Sequence, residues 1–188
     1  MDVETAEKRV LDAAEELFYS RGIHAVGMDD IRDTSGVSLK RLYQLFPAKE
    51  RLVTAFLQRR DIRWRQRLAD QVSTQPTPEE RILAVFDWLF DWFSEPTYRG
   101  CAWINSFGEL GATSPGVVAE TRKHKWAFKE YLDGLVADAG LPATSAEHLL
   151  LLAEGAMVTA AINGSPEPAR QAQAAAKVLL DSARQTTS

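Results

Sequence analysis

The chain is poor in the residues that metal sites and many catalytic sites use. Its 188 residues include one cysteine, Cys101, and three histidines that are scattered along the sequence. A single cysteine excludes an intrachain disulfide and is typical of a reducing cytoplasm. The sequence also lacks a glycine-rich phosphate loop and any metal-ligand spacing. We therefore expect no catalytic residues, no metal ion and no cofactor, which makes an enzyme the weakest functional hypothesis.

Export signals and long apolar runs are also missing. The first ten residues, MDVETAEKRV, are charged and lack the apolar core of a signal peptide. The most apolar stretch, ILAVFDWLFDWF, contains Asp87 and Asp91 and is too short to span a bilayer. These features predict a soluble cytoplasmic protein with no membrane partner.

Strand patterns are replaced throughout by helical spacing of apolar residues. No Asn-Gly or Asp-Gly pair joins two segments that alternate apolar and polar residues. Apolar residues instead recur three and four positions apart, which predicts an all-α fold of about nine helices. We expect a helix-turn-helix head of three helices in residues 1–48 and a helical body in residues 49–188.

Charge is distributed unevenly between the head and the body. The whole chain carries a formal charge of −4, but eight cationic residues against four acids give +4 between Arg21 and Arg60, which leaves −8 elsewhere. Such asymmetry is typical of a basic face on an acidic body. Cations also decorate ordinary solvated helices, so charge alone leaves a DNA-binding head and a plain helical hairpin as equal alternatives.

The segment from Gly22 to Leu52 contains the candidate DNA-binding residues. It predicts two short helices joined by a turn at Ser35 and Gly36, an arrangement that can present the second helix to a DNA major groove. The candidates are Ser38, Lys40, Arg41, Tyr43, Gln44 and Lys49. Ser38 occupies the N-cap position of the second helix, whose positive dipole end would then face the anionic groove.

The other five candidates have side chains that suit nucleic acid. Lys40 and Arg41 can pair with guanine, and Gln44 can pair with adenine. The Tyr43 hydroxyl and the Lys49 ammonium suit phosphate oxygens. We therefore expect double-stranded DNA as a partner.

The order of residues in this segment resembles a known family. The motifs are Met28-x-x-Ile31, Ser35-Gly36-Val37-Ser38, Leu42-Tyr43-x-x-Phe46 and Lys49-Glu50-x-Leu52. They follow Gly22 with unbroken spacing and resemble the amino-terminal domain of the TetR family of bacterial transcriptional regulators. The resemblance implies a dimeric regulator that binds a DNA operator and whose body binds a small effector.

Four residues depart from the family pattern. Gly27 stands where the family usually has a threonine, and glycine is still a tolerable N-cap. Arg32 replaces a small alanine, so its guanidinium must extend outwards to Asp33, to Asp29 or to DNA. Lys40 and Arg41 replace a small residue and a threonine and add cations at the DNA face.

The last two predicted helices carry apolar stripes that suit a homodimer. In the family these helices pack against their copies, and small residues allow helices to approach closely. The candidate dimerisation residues are Leu149, Ala153, Ala156, Ala160, Ala172, Ala176 and Leu179. The alternative is a hairpin that packs only within its own chain.

Aromatic residues of the body suit a pocket for a hydrophobic or aromatic ligand. The candidate ligand-binding residues are Phe86, Trp88, Trp92, Trp103, Phe107, Thr121, His124 and Phe128. The alternative is that these aromatic side chains only fill the core.

The segment Arg99-Gly100-Cys101, with Asn105 and Glu109, resembles one found in some bodies of this family. It supports the family assignment but no particular ligand. Because Arg99 is the sole cation close to Cys101 in the sequence, little favours a sensing role for this cysteine.

The leading hypothesis is a ligand-responsive repressor that binds a palindromic operator as a homodimer. An activator, or a regulator that needs a corepressor, remains open because the sequence does not set the sign of regulation. A different alternative is an adaptor protein that keeps the fold without operator recognition, and Gly27 and Arg32 are the residues that favour it.

Overall fold

The computed structural model describes the backbone of residues 1–187 and the side chains of residues 1–184. Over this part the chain forms nine α-helices and no strand, which confirms the predicted all-α fold. The helices are α1 (Val3–Arg21), α2 (Met28–Ser35), α3 (Leu39–Leu45), α4 (Lys49–Ser73), α5 (Pro78–Phe93), α6 (Ala102–Leu110), α7 (Pro115–Asp138), α8 (Thr144–Asn163) and α9 (Glu167–Thr187).

The helices pack into two compact units, each made of segments that are separate in the sequence. The first unit comprises Met1–Ile62 and Ala102–Lys123, and the second comprises Arg63–Cys101 and His124–Ser188. Helices α4 and α7 therefore contribute residues to both units. The predicted functional division after residue 48 stays a prediction, because these units reflect packing alone.

In the first unit, α1 is held on the first half of α4 by apolar and ionic contacts. The rings of Phe18 and Phe56 meet edge to face with their centroids 6.0 Å apart. Arg59 donates hydrogen bonds to Asp12 and Glu15 at 2.8 and 2.9 Å, and Arg60 donates to Glu15 at 2.9 Å. Because both arginines and Glu15 are largely shielded from water, removing one partner would leave a poorly solvated charge.

The turn between α2 and α3 is closed by backbone geometry that the sequence predicts. Gly36 ends α2 in the left-handed region at φ 65°, and its N–H donates to the Arg32 carbonyl at 2.9 Å. The Ser35 hydroxyl accepts a hydrogen bond from the Val37 N–H at 3.2 Å. The two helices then bury Ile31 and Leu42 against the rest of the first unit.

The second unit is organised around α5, which buries half of its residues. A capping box starts this helix: the Thr77 hydroxyl accepts from the Glu80 N–H at 3.3 Å, and the Glu80 carboxylate accepts from the Thr77 N–H at 3.1 Å. Helix α5 packs against both α8 and α9, which also pack against each other.

One helix of the described part, α8, is long and apolar enough to cross a membrane by length and composition. This is weak evidence for a membrane span, since the core helices of soluble proteins meet the same test. The contacts of α8 with α5 and α9 give its apolar residues a role within the second unit.

Two glycine substitutions should change stability in opposite directions. We expect Gly36→Ala to lower the free energy of unfolding by about 1–3 kcal/mol, because alanine is strained at a positive φ. We expect Gly134→Ala to raise it by about 0.5–1 kcal/mol, because Gly134 lies inside α7 and a Cβ there meets no atom within 4 Å.

Urea denaturation of both variants and the parent would measure these differences. Equal destabilisation by the two substitutions would show that the backbone conformation at Gly36 does not limit stability.

Candidate DNA-binding interface and its supporting contacts

Helix α3 presents polar side chains on one side and buries an apolar residue on the other. Lys40, Tyr43 and Gln44 are exposed, and Arg41 is half-buried. Leu42 is completely buried and anchors the helix. The structure therefore leaves the predicted base-reading and phosphate-binding groups of α3 available to a DNA groove.

The first turn of α3 is fixed by Ser38. Its hydroxyl accepts a hydrogen bond from the Arg41 N–H at 3.4 Å, which confirms the predicted N-cap. The Arg41 guanidinium donates to the Gln44 side-chain oxygen at 3.4 Å. Two of the three predicted base-reading residues, Arg41 and Gln44, thus lie side by side on one face of the helix.

The structure resolves the question of where the Arg32 guanidinium goes. It donates to Asp33 at 2.8 Å and to Asp29 at 2.6 Å. The Asp33 hydrogen bond raises the pKa of Arg32 and lowers the pKa of Asp33. The expectation that Arg32 extends out to an acid is confirmed, and Gly27 also caps α2 as expected.

In this structure without DNA, the Lys49 ammonium contacts the loop between α1 and α2. It donates to the Ile23 carbonyl at 2.5 Å and lies 5.9 Å from the centroid of the Phe18 ring. Burial lowers the pKa of Lys49, although the carboxylates of Glu109 and Asp30 oppose this effect. Through its hydrogen bond to the Ile23 carbonyl, the Lys49 side chain holds the loop between α1 and α2 in place.

Glu109 of α6 holds the same loop by binding backbone N–H groups, whereas Lys49 binds a backbone carbonyl. Its two carboxylate oxygens accept hydrogen bonds from the Ile23 N–H at 3.0 Å and the His24 N–H at 2.8 Å. The His24 ring nitrogen Nε2 also lies 3.0 Å from the Glu109 backbone carbonyl. We call the contacts of Lys49 and Glu109 with the peptide groups of Ile23 and His24 the loop clamp.

The loop clamp depends on a glycine that precedes it. Gly22 ends α1 with φ 87°, and its N–H donates to the Phe18 carbonyl at 3.0 Å. A Cβ at this position would lie 3.2 Å from a carboxylate oxygen of Glu109. Glycine therefore satisfies both the positive φ and the close approach of the carboxylate.

The start of α7 is tied to α4 in the same unit. The Ser114 hydroxyl donates to Glu50 and accepts from the Val117 N–H at 3.2 Å. The side chain of Gln58 donates to Glu120 at 2.7 Å. Helices α6 and α7 thus reach the DNA-binding head through polar contacts with the α1–α2 loop and with α4.

The eight predicted ligand-binding residues are divided between the two units. The first unit contains Trp103, Phe107 and Thr121. Thr121 donates to the Trp103 carbonyl at 3.4 Å, and Phe107 is 49% exposed. Phe107 therefore lies at a surface, and an internal cavity does not enclose it.

The other five predicted ligand residues belong to the second unit, where all five are buried: Phe86, Trp88, Trp92, His124 and Phe128. Four of these rings meet Trp64 edge to face at centroid distances of 4.8 to 5.7 Å. We call Trp64 and these four rings the aromatic cluster. Such packing agrees with the alternative that these side chains fill the core.

Cys101 has a cationic neighbour that its local sequence does not reveal. The Lys125 ammonium lies 3.3 Å from the Cys101 sulfur and 2.6 and 2.8 Å from the Glu154 carboxylate oxygens. Although burial opposes it, attraction to Cys101 and Glu154 raises the pKa of Lys125.

The predicted dimerisation residues lie mostly inside the chain. Leu149, Ala153, Ala156, Ala160, Ala172 and Ala176 are buried, and Leu179 is partly buried. Because most of these side chains are buried within their own chain, as placed they present little surface to a second copy. The exposed large apolar residues of α8 and α9, among the side chains that the structure describes, are Leu151, Val158, Ile162 and Val178.

Comparisons with known proteins agree on the nature of the amino-terminal domain. The family model described as bacterial regulatory proteins of the tetR family matches residues 10–56. The chain is 35% identical over 136 residues to the HTH-type transcriptional activator FasR of Mycolicibacterium smegmatis, an alignment that covers 72% of this chain and 61% of FasR. It is 36% identical over 80 residues to MT1294, an uncharacterised HTH-type transcriptional regulator of Mycobacterium tuberculosis, which covers 43% of this chain and 40% of MT1294. The chain thus spans less than two thirds of the length of either relative.

The fold as a whole is also similar to known structures. SCO4454, a TetR-family transcriptional regulator from Streptomyces coelicolor, superposes with a TM-score of 0.86 at 27% sequence identity, covering 96% of each chain. FasR, MT1294 and SCO4454 are all transcriptional regulators. By its amino-terminal domain and by its fold, the chain is similar to the TetR family of bacterial transcriptional regulators.

Proposed function

We propose that the protein is a ligand-responsive repressor that binds a palindromic operator as a homodimer in the cytoplasm. The observation that carries this proposal is the exposed face of α3, where Lys40, Tyr43 and Gln44 project beside Arg41. Cationic and amide side chains on a helix that is capped by Ser38 match the groups that read bases and phosphates. This face also disfavours the adaptor alternative, because no acid of α3 opposes its cations.

Activation of transcription is the second candidate function. It is favoured by the similarity to FasR, which is named as a transcriptional activator. The protein contacts with DNA are the same under either function, so they do not separate the two. The position of the operator relative to a promoter would decide between them.

The homodimer is proposed to form through the outer faces of α8 and α9. Along α8 the exposed residues Leu151, Gly155, Val158 and Ile162 fall at helical spacing on one side. Val178 of α9 is 69% exposed and belongs to the same proposed surface. Burial of these apolar side chains against a second copy would stabilise the pair.

The effector is proposed to be a small hydrophobic or aromatic molecule that binds in the second unit. Entry among the rings of the aromatic cluster would require them to separate, since they are packed at contact distance. The effector would shift the protein between two states that differ in DNA affinity. Linkage then requires DNA to change effector affinity by the same factor.

Selection from a random pool of duplex DNA with the purified protein tests the proposed function. Enrichment of a palindrome whose half-sites lie about one helical turn apart would support a dimeric operator-binding regulator. If a folded protein enriched no sequence at near-physiological salt, the operator-binding proposal would be rejected in favour of the adaptor.

Removal of a base-reading side chain should relax sequence preference. We expect Arg41→Ala or Gln44→Ala to cost about 1–3 kcal/mol of discrimination at the base pair that each side chain contacts. Competition binding with a panel of operators that carry single substitutions would measure this cost. Unchanged discrimination in both variants would move base reading to other residues.

Lys49 and Lys40 should have separable roles. Because the Lys49 ammonium binds the Ile23 carbonyl, we expect Lys49→Met to lower the free energy of unfolding by about 1 kcal/mol. The salt dependence of DNA binding should change little. For the exposed Lys40, Lys40→Met should reduce the slope of log affinity against log salt by about one and leave stability unchanged.

Thermal unfolding and salt titrations of DNA binding for the two variants would test this assignment. The reverse result, with a reduced salt slope for Lys49→Met alone, would support the phosphate contact that the sequence predicts for Lys49.

A charge on the exposed face of α8 should break the dimer. Ile162 is 78% exposed, so Ile162→Glu should favour monomers while the helical content stays the same. The matched control is Ile62→Glu, which changes another isoleucine, 67% exposed, on α4. Sedimentation equilibrium would show the effect, and an intact Ile162→Glu dimer would place the interface elsewhere.

A further inference from the structure

The first unit contains a crevice that lies next to the loop clamp. Its volume is about 380 Å³, within the range of small-molecule sites. Phe18 and Tyr19 of α1 and Phe56 of α4 provide aromatic walls, and Ser106, Gly108 and Glu109 of α6 provide the opposite side. All of these residues belong to one compact unit, so the crevice is formed by the packing of that unit alone.

The α6 side of the crevice has a polar side chain, Ser106, and unoccupied space beside Gly108. Ser106 is 3% exposed and lines the crevice, where it contributes a hydroxyl group. A hydroxyl can donate one hydrogen bond and accept others, so it can pair with a polar group of a bound molecule. A Cβ at Gly108 would meet no atom within 4 Å, so the wall is open there.

The charge of the residues that line the crevice indicates which class of small molecule would bind there. Glu109 is the one charged residue that lines the crevice, and no lysine or arginine lines it. Each of its carboxylate oxygens accepts one backbone hydrogen bond in the loop clamp. Because a carboxylate oxygen can accept about two hydrogen bonds, both retain capacity towards an occupant. Aromatic walls beside a carboxylate suit a flat organic cation.

We propose that this crevice is an effector site for small aromatic cations such as aryl amidines, separate from the effector site proposed in the second unit. The cation pairs with Glu109 while its ring packs between the aromatic walls, and a polar group bonds to Ser106. The cation first uses the lone pairs of Glu109 that the amides leave free, and it pairs two opposite charges where each amide bond has only one charged partner. Sharing the carboxylate in this way weakens its hydrogen bonds to the Ile23 and His24 amides and loosens the loop clamp.

The regulatory part of this inference rests on the proposed DNA-binding function. The loop held by the clamp leads directly into α2, the first helix of the helix-turn-helix. Loosening the clamp therefore weakens the placement of α2 and α3, and the occupied protein binds its operator less tightly. By linkage, operator DNA lowers the affinity of the crevice for the cation by the same factor.

The test is titration of the full-length protein, without DNA, with benzamidinium and with benzoate. The two probes have nearly the same shape and opposite charge. We expect saturable chemical-shift changes at the Ile23 and His24 amides in ¹⁵N nuclear magnetic resonance spectra with benzamidinium and none with benzoate. No saturable change at these amides, or equal binding of both probes, would overturn the proposal.

Two variants and a control locate the binding. Gly108→Leu places a side chain at the open wall and should raise the dissociation constant of benzamidinium about tenfold. Gly134→Leu is the matched control, because Gly134 is another exposed helical glycine with no atom near its Cβ position, and it belongs to the second unit. Unchanged affinity in folded Gly108→Leu would overturn the site.

Glu109→Gln gives an independent readout if Gly108→Leu does not fold. This variant keeps the shape of the side chain and removes its charge, so it should bind benzamidinium no better than benzoate. Retained preference for the cation would exclude Glu109 as its partner and overturn the proposal.

Operator binding is then measured with and without benzamidinium. Benzamidinium binding in a protein that binds no DNA would reject the proposed function and leave the crevice site standing. Operator binding in a protein that binds no benzamidinium would reject the crevice site and leave the proposed function standing.

Discussion

The DNA-binding head depends on the two charged side chains that hold the loop between α1 and α2. Lys49 binds the carbonyl of Ile23, and Glu109 binds the N–H groups of Ile23 and His24. These are backbone groups of a loop, and most of them would otherwise need water or a cap. The two ends of the loop clamp come from α4 and α6, so the position of α2 is tied to helices that follow the head in the sequence.

The features that could be predicted from the sequence are those set by neighbours along the chain. Gly36 ends α2 in the left-handed region, and Ser38 caps α3, because both roles depend on residues at most four positions away. The burial of Leu42 could also be predicted, because the spacing of apolar residues identifies the inner side of a short helix. The exposed face of α3 follows directly from these local rules.

The loop clamp could not be predicted in the same way. Lys49 and Ile23 are 26 residues apart, and Glu109 and Ile23 are 86 residues apart. Both partners on the loop are backbone groups, which leave no mark in the side-chain pattern. In the sequence, Glu109 stands out only because its segment resembles one in the helical bodies of some family members. That resemblance does not predict which groups Glu109 contacts.

In α8 and α9 the sequence could not predict which apolar residues are buried within the chain and which are exposed. Helix α8 carries apolar residues on two sides, and its pattern does not tell which side meets its own chain. Small residues such as Ala153 and Ala160 pack inside, whereas the larger Leu151 and Ile162 remain outside. The aromatic residues were ambiguous for a related reason, since a cluster that fills a core and one that lines a cavity have the same composition.

The positions of the tryptophan residues allow the intrinsic fluorescence of the protein to report on different parts of the molecule. Trp64, Trp88 and Trp92 lie together in the aromatic cluster and are shielded from water, whereas Trp126 is 64% exposed. A quencher that is confined to water reaches Trp126 and spares the cluster. Trp103, the fifth tryptophan, is also buried but belongs to the first unit. The quenched part of the ultraviolet emission therefore reports on the surface of the second unit at Trp126, and the protected part reports on the interiors of both units.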